Sequence, residues 1–490
     1  MIDHLSLYCL HPYEYLPASL SNLAHLRTLG LTHSSPLETP RFTRLMSLTA
    51  LAADIPEYED MNLARLAHLP AFATLSLSNK LWLRQGGVGA HPFSLAHLPS
   101  LKALEFEPCS PPFDLLFPPE SSFSNLERLL LKGCEGLEHL PDDMGERLPR
   151  LRDLSICDCK KLSHLPEQFT ALSCLEQLAI SSCSIVRLPE NFGMLPALKK
   201  LSLLDLQIAR LPESFHQLAF LEAFHLSHCT AHFRFPAAFG DLTALRSLYI
   251  PIAPNLILPD DIGGLTNLHT LHFSRNYPQE LLPSSFMQLT SLTRLELVDC
   301  AIVQLPGDTG RLSNLRELTI QLFTSITEIP DSLTDLVNLE VLKVLGCRSV
   351  SSFPTTLSSL ARLKELALAK LPQLPQLLPS LPRSLEILSL GTYQRLTPFL
   401  EIPALPNLRR LSLISVAFMR GMVAGMALPA VEHVELSLVG EAEDLPLPLD
   451  LVPNLRSLKI ASAGRLKSFP KKPVPFNIIF QLMDRLEIRL

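Results

Sequence analysis

The sequence repeats one pattern of apolar residues along most of its length. Leucines spaced L-x-x-L-x-x-L-x-L-x-x-C, followed by L-P-x-x-F, recur with a period of about 23 or 24 residues. One repeat of this length cannot bury its own apolar edge and is stabilised only by its neighbours. The chain is therefore predicted to form a single quasi-linear array of coils rather than separate globular domains.

The L-x-L core of each repeat predicts a β-strand. Apolar and polar residues alternate there with the strand period of two, which turns the leucines inward and the intervening residues to solvent. About twenty strands, stacked in parallel, are expected on this basis. Clear copies are Leu126/Leu129/Leu131, Leu151/Leu154/Ile156, Leu175/Leu178/Ile180, Leu198/Leu201/Leu203, Leu245/Leu248/Ile250, Leu292/Leu295/Leu297 and Leu339/Leu342/Val344.

The segment after each strand is marked by proline. Leu-Pro or a close relative follows the strand, as at Leu165-Pro166, and proline ends a strand because it lacks the N–H that a ladder requires. Apolar residues then recur at helical spacing, as at Phe215, Leu218 and Leu221. This spacing predicts a short helical turn on the side of the coil opposite the strand.

The regularity of the repeat varies along the array. Residues 1–106 are irregular N-terminal repeats, residues 107–370 are regular repeats, and residues 371–490 are degenerate C-terminal repeats. Protruding loops are expected where the period is interrupted. Interruptions occur at residues 80–93 and 469–476, and a softer irregularity at residues 371–382.

Seven of the ten cysteines share one place in the repeat, three residues after the second strand leucine. At this place a small side chain with a weak S–H donor is expected to turn inward and bond a nearby carbonyl. The cysteines lie about 24 residues apart without a Cys-x-x-Cys motif, which favours free thiols over disulfides or a metal cluster, and favours a reducing compartment such as a cytosol. The seven are Cys109, Cys134, Cys159, Cys183, Cys229, Cys300 and Cys347, and Asn276 takes the same place once.

Several functional classes are disfavoured by charge and composition. The net charge is −6 and no block of like charges occurs, so a nucleic-acid partner is not expected. Prolines and polar residues interrupt every Leu-rich segment, so no membrane span is predicted. The first residues have no basic segment followed by a long apolar one, so no secretory signal peptide is expected.

Catalytic and metal-binding signals are weak. The stretch Gly86-Gly87-Val88-Gly89 lacks the Gly-Lys-Ser/Thr that completes a phosphate-binding loop. The histidines His25, His68 and His97 occupy the same position of a Leu-Ala-His-Leu sequence that recurs in the repeats. Descent of these repeats from a common ancestral repeat explains their recurrence. Cys157 and Cys174 lie outside the inward cysteine place, yet no paired base accompanies either. No enzymatic activity, cofactor or metal is predicted.

One run of strands carries larger polar side chains on its solvent-facing positions than the others do. These side chains offer contact area and directional hydrogen bonds, as interaction hot spots do. The run is therefore a candidate partner-binding surface, and the alternative is a merely solvated polar face. Its residues are His225, His228, Tyr249, His272, Arg275, Arg294, Glu296 and Asp299.

The repeat unit resembles the plant-type class of leucine-rich repeats, L-P-x-x-F/I-x-x-L-x-x-L-x-x-L-x-L-x-x-C, as in residues 165–183. Its cysteine-centred form resembles the repeats of intracellular plant immune receptors and of type III effectors of plant-pathogenic bacteria. The resemblance implies an α/β repeat solenoid: a horseshoe with a parallel concave β-sheet and short helical or irregular convex segments. It also implies that the chain binds a protein partner.

Three functional readings follow from this resemblance. The first is a protein-protein interaction scaffold, a bacterial effector or its recognition domain, acting in a host cytosol after type III secretion. The second is the substrate-recognition part of an E3 ubiquitin ligase, because residues 378–382 (Leu-Pro-Ser-Leu-Pro) resemble bacterial ligase repeats. The third is an intracellular regulatory repeat protein.

Overall fold

The computed structural model describes most of the chain between residues 123 and 371 and shorter stretches on either side. Contacts divide the chain into two units, Met1–Leu245 and Arg246–Leu490, which are treated in turn. The predicted loops at residues 80–93 and 469–476, the middle of the 371–382 irregularity, and Cys109, Cys229 and His97 lie outside the described residues. The described residues are 2–8, 18–32, 44–54, 66, 68–78, 98, 100–107, 123–228, 233–252, 256–276, 281–371, 380–391, 405–414, 428–437, 452–461 and 477–481.

The first unit contains ten described strands, each paired in parallel with the next along the chain. The register joins equivalent repeat positions, so that Leu154 lies beside Leu178, and Leu178 beside Leu201. The strands are β1 (His4–Tyr8), β2 (Thr28–Thr32), β3 (Ala50–Asp54), β4 (Thr74–Ser78), β5 (Ala103–Phe106), β6 (Arg128–Lys132), β7 (Asp153–Cys157), β8 (Gln177–Ser181), β9 (Lys200–Leu204) and β10 (Ala223–Ser227).

The second unit contains eleven described strands with the same parallel pairing. The parallel sheets predicted from the L-x-L pattern are confirmed. The strands are β11 (Ser247–Ile250), β12 (Thr270–Asn276), β13 (Arg294–Cys300), β14 (Glu317–Gln321), β15 (Val341–Leu345), β16 (Glu365–Ala369), β17 (Ile387–Gly391), β18 (Arg410–Ile414), β19 (His433–Ser437), β20 (Ser457–Ala461) and β21 (Asn477–Gln481).

The predicted helical turn is a 3-10 helix in most of the described coils. Proline sets its start: Pro166 has φ −65°, and its carbonyl accepts the Phe169 N–H at 3.0 Å. One α-helical turn, α1 (Met144–Arg147), occupies the same place. The 3-10 helices are Ala18–Asn22, Glu167–Ala171, Phe192–Met194, Glu213–Gln217 and Phe239–Asp241 in the first unit, and Ile262–Gly264, Ser284–Gln288, Thr309–Arg311, Asp331–Asp335 and Leu357–Ser359 in the second.

The core of each unit is a set of side-chain rows that run from coil to coil. Strand leucines such as Leu201 and Leu295 are buried, as predicted. A row of phenylalanines from the 3-10 helices stacks beside them in the first unit. The ring centroids of Phe169 and Phe192 are 6.4 Å apart, and those of Phe192 and Phe215 are 6.3 Å apart with nearly parallel planes. Each coil therefore closes its core against the coils before and after it.

The cysteine place turns inward as predicted in the five coils where it is described. Cys159, Cys300 and Cys347 are at most 3% exposed. The Cys300 thiol donates to the Val298 carbonyl at 3.4 Å and lies 3.6 Å from that of Phe273 in the preceding coil. The thiol thus satisfies backbone carbonyls at the point where the chain leaves the strand.

A left-handed residue precedes the cysteine place in many coils, a feature that was not predicted. Its N–H donates to a carbonyl of the next coil, as from Asp205 to Ser227 at 3.0 Å. Leu322 adopts this conformation with φ 62°, although leucine is disfavoured there, and its side chain lies over Gly346. The other left-handed residues are Gly133, Asp158, Ser182, His228, Arg275, Asp299, Gly346 and Lys370.

The residue that follows the first leucine of the L-x-x-L-x-L motif carries a charge of alternating sign in long stretches of both units, and we call these residues the charged ladder. The N–H of each residue donates to the carbonyl of its counterpart one coil earlier, as from Glu176 to Arg152 at 2.8 Å. The Glu176 carboxylate lies 2.5 Å from Arg152 and 2.8 Å from Lys199. The ladder is Lys102, Glu127, Arg152, Glu176, Lys199 and Glu222 in the first unit, and Arg316, Glu340, Lys364, Glu386, Arg409, Glu432 and Arg456 in the second.

Candidate functional site

Three residues of the predicted partner surface form one continuous row in the second unit. Tyr249 of β11, His272 of β12 and Glu296 of β13 are paired in register at the position between the two strand leucines. This position alternates outward, so all three side chains lie on the exposed face of the sheet. We refer to them as the central row.

Contacts within the central row hold its side chains in place. The Tyr249 ring stacks on the His272 ring with centroids 4.3 Å apart and planes inclined by 29°. The Nδ1 atom of His272 lies 2.7 Å from a carboxylate oxygen of Glu296. The His272 side chain is 13% exposed, whereas Tyr249 remains 39% exposed. The row therefore presents a fixed aromatic surface beside a carboxylate.

Arg294 lies two residues before Glu296, in the neighbouring row, and is engaged by a residue that was not predicted. Its guanidinium donates two hydrogen bonds to the Glu317 carboxylate, at 2.6 and 2.8 Å. These bonds hold the pKa of Glu317 below its usual range and raise that of Arg294. The paired geometry fixes the orientation of the Arg294 side chain on the sheet face.

Three other predicted residues lie outside the central row, His228 just after β10, and Arg275 and Asp299 near the ends of β12 and β13. His228, Arg275 and Asp299 are the left-handed residues of their coils, with φ of 52°, 52° and 53°. Asparagine and aspartate tolerate this conformation best, so the presence of Asp299 has a backbone explanation. The alternation rule alone did not distinguish these left-handed residues from the regular residues of a strand.

The histidines His225 and His228 belong to the first unit. His225 lies in β10 beside Ser202 of β9 and is half-buried, and His228 is exposed. On the three preceding strands the matching position holds Ser155, Ala179 and Ser202. The change from small to large side chains predicted at His225 is thus present in the first unit.

Glu317 could have been found from the sequence. It occupies the strand position of Arg294 one period later, and the register of β13 and β14 places the two side by side. Aligning the repeats by strand position, rather than scanning for large side chains, identifies such pairs. Lys343 and Glu365 form a further ion pair of 2.8 Å on the same face.

No catalytic or membrane-spanning feature emerges from the described residues. Among them, no three histidine, cysteine or acidic side chains are grouped to hold a metal ion. Within the same part of the chain, no helix has the length and apolar character needed to cross a membrane. Of the seven described cysteines, all carry free thiols.

Comparison with known proteins matches the repeat geometry. Residues 106–255 match the family model described as a leucine-rich repeat region. The fold is a leucine-rich-repeat solenoid. Comparison with curated protein sequences found no significant match. The leucine-rich-repeat fold is typical of protein-protein interaction scaffolds and is generally non-enzymatic.

Solved leucine-rich-repeat structures resemble the chain over much of its length. A leucine-rich-repeat protein of Leptospira interrogans is 25% identical with a TM-score of 0.50, over 72% of this chain and 92% of that protein. The Toll receptor of Drosophila, solved in complex with Spätzle, is 17% identical with a TM-score of 0.59, over 95% of this chain and 60% of that chain. The second likeness concerns the fold alone.

Proposed function

We propose that the chain is a protein-binding scaffold whose partner docks on the exposed sheet face of the second unit. The Tyr249 ring, stacked on His272 and still 39% exposed, is the observation that carries the proposal. Tyrosine and arginine are enriched among the few residues that dominate binding energy at protein interfaces. Arg294 and Glu296 supply charged groups on the same face, and Arg275 and Asp299 are proposed as further contacts near the ends of β12 and β13.

Preorganisation supports this choice of surface. Immobilising a flexible side chain on binding costs about 0.5–1.5 kcal/mol. The stack with Tyr249 and the contact with Glu296 already restrict His272, and two hydrogen bonds to Glu317 already restrict Arg294. A partner that contacts these side chains therefore incurs less of the free-energy cost of immobilising them on binding. The histidines His225 and His228 are proposed as partner contacts of the first unit, taken by itself.

We further propose that this scaffold acts as a bacterial effector, or as the recognition domain of one, in a host cytosol. The resemblance of its cysteine-centred repeats to effector repeats supports the proposal, as does the similarity to a bacterial leucine-rich-repeat protein. A translocation assay with a reporter fused to the chain tests the effector role. Transfer to a host cell is expected, and retention in the producing cell would favour a regulatory role there.

The scaffold proposal is tested by capture of proteins on the immobilised chain, quantified by mass spectrometry. The double variant Tyr249→Ala/Arg294→Ala is expected to bind a specifically captured protein at least about tenfold more weakly, because each hot-spot loss costs about 1 kcal/mol or more. Both side chains lie outside the core, so the unfolding transition should hardly change.

A matched control is Ser389→Ala/Arg410→Ala, which alters the strand positions of Tyr249 and Arg294 on β17 and β18 of the same unit. This control is expected to bind like the parent. Equal binding by the parent and the Tyr249/Arg294 variant would show that the central row is not the binding surface.

An in vitro ubiquitination assay of the full chain examines the ligase alternative, for which transfer activity is required.

A further inference from the structure

A second row in the first unit carries basic side chains on five consecutive coils. Each is the residue immediately before the Leu-Pro or Phe-Pro pair, and all are exposed. The matching residues of the second unit are Ile257, Leu281, Gln304, Glu328 and Ser352, none of them basic. The repeat therefore does not require a basic residue at this place. The five residues, which we call the basic row, are His139, His164, Arg187, Arg210 and Arg234.

The basic row differs from the charged ladder in its sign pattern. In the ladder, signs alternate from coil to coil and neighbours pair. In the basic row, the backbones of Arg210 and Arg234 form a parallel bridge, so like charges occupy adjacent coils. Like charges at facing positions destabilise a sheet. The stability of the fold thus gives no reason for this row.

Two arginines of the basic row are available to a ligand. Within the described part of the chain, the side chains of Arg187 and Arg234 form no ion pair, whereas Arg210 lies 3.1 Å from Glu190. His139 and His164 add exposed imidazole groups on the two preceding coils. The row therefore offers several donors to an acidic partner.

The basic row borders a groove of about 830 Å³. His139, His164 and Arg187 of the basic row line this groove, and Leu-Pro pairs such as Leu140-Pro141 also line it. Acidic residues follow the proline in four successive coils, and the first two of them line the same groove. These acids are Asp142, Glu167, Glu190 and Glu213.

We propose that this groove binds an α-helix of a partner protein that carries acidic residues along one face. Parallel strands set the coil spacing at about 4.8 Å, and acids at every third or fourth helical residue repeat at about 4.5–6 Å. The four steps between the five coils span about 19 Å, or about 13 residues of helix. One acid can thus meet each coil.

The acids that line the groove, Asp142 and Glu167, distinguish a striped helix from a uniform polyanion. A nucleic acid or sulfated glycan is negative on every side and would place charge against Asp142 and Glu167. A helix can direct acids toward the basic row and lysines or neutral residues toward Asp142 and Glu167. The shared groove therefore favours the helix.

The test measures binding of a labelled helical peptide of about 22 residues, long enough to hold its helix in water, by fluorescence anisotropy in about 0.15 M salt. One peptide carries glutamates along a single face, a second replaces them with glutamine, and a third scatters the same glutamates around the helix. The parent is expected to bind the striped peptide at least about tenfold more tightly than either of the others.

The variant Arg187→Gln/Arg234→Gln is expected to lose this preference, because it removes the two unpaired guanidinium groups. The control Arg128→Gln/Arg150→Gln removes the same charge elsewhere in the first unit and should bind like the parent. Equal binding of all three peptides by the parent would overturn the proposal. Tighter binding of a heparin oligosaccharide than of the striped peptide would also overturn it, in favour of a polyanion site.

Discussion

Among single residues, Glu317 shows how a neighbouring coil sets the chemistry of a side chain. The hydrogen bonds from Arg294 lower the pKa of Glu317, so the ion pair stabilises the fold above the carboxyl's unfolded pKa. That contribution is lost as the pH falls through the lowered folded pKa. Both side chains are close to half exposed, which limits the contribution to about 1 kcal/mol or less.

We expect Arg294→Gln to raise the pKa of Glu317 toward about 4.3, the ordinary value of a glutamate. A pH titration of glutamate side-chain carbons by NMR measures this shift. Lys364→Gln is the matched control, because Lys364 lowers the pKa of Glu340 and not that of Glu317. An unchanged Glu317 titration in Arg294→Gln would contradict the paired geometry.

The cysteines should divide into two classes of thiol reactivity. A hydrogen bond with Cys134 and burial raise the pKa of Cys159 to about 12, and burial raises that of Cys347 to about 11. Cys157 and Cys174 are only half-buried. We expect native alkylation to modify Cys157 and Cys174 first and Cys159 and Cys347 last.

Peptide mapping by mass spectrometry follows this order of alkylation. The same map under non-reducing conditions tests the prediction that all ten cysteines are unbridged. A native disulfide between any two of them would show that prediction to be wrong. Early alkylation of Cys347 would instead show that its coil opens readily.

Within the strands and 3-10 helices, stability rests on the inward rows. Leu201→Ala is expected to cost about 2–5 kcal/mol and Phe215→Ala about 3–5 kcal/mol, because each leaves a cavity between neighbouring coils. The same cost of about 2–5 kcal/mol is expected for Leu295→Ala in the second unit. Urea unfolding measures the change. Ser202→Ala alters the outward side of β9 and should change stability by no more than about 0.5 kcal/mol.

The strands and their register follow from the leucine spacing alone. Side chains alternate between the two faces of a strand, so only one pairing register buries Leu154, Leu178 and Leu201 together. The proline positions likewise predicted the short helical turns. The left-handed residues escaped prediction because their backbone is set by a hydrogen bond to the next coil. At Leu322, Arg275 and Lys370 the residue type gives no hint of this conformation.

The candidate site was predicted in part. Large polar residues at outward positions were recognised, but Tyr249, His272 and Glu296 form one row while Arg294 lies in another. The alternation of apolar and polar residues along a strand separates inward-facing from outward-facing positions. It does not show which outward-facing residues of neighbouring coils lie side by side. Partners across coils, such as Glu317, follow only once the repeats are aligned.

For the whole molecule, protection of the backbone from hydrogen exchange should differ between β1 and β9. β1 pairs with β2, and Leu5 and Leu7 are only half-buried, whereas Leu201 of β9 is 1% exposed and lies between two paired strands. We expect hydrogen exchange at Leu5 and Leu7 to be much faster than at Leu201, because strands that bury less apolar surface open at a lower free-energy cost. Equal protection at these sites would mean that β1 is covered.

The charged ladder constrains how an array like this gains or loses repeats. Excising the single repeat that carries Glu340 would set Arg316 against Lys364, whereas excising two neighbouring repeats would restore a facing pair of opposite charges. Like charges at facing positions destabilise a sheet. Adding or removing an odd number of repeats would place like charges side by side in the ladder, whereas an even number would keep opposite charges paired. Duplication or deletion in even numbers is then the tolerated mode of growth, and engineered arrays should be lengthened two coils at a time.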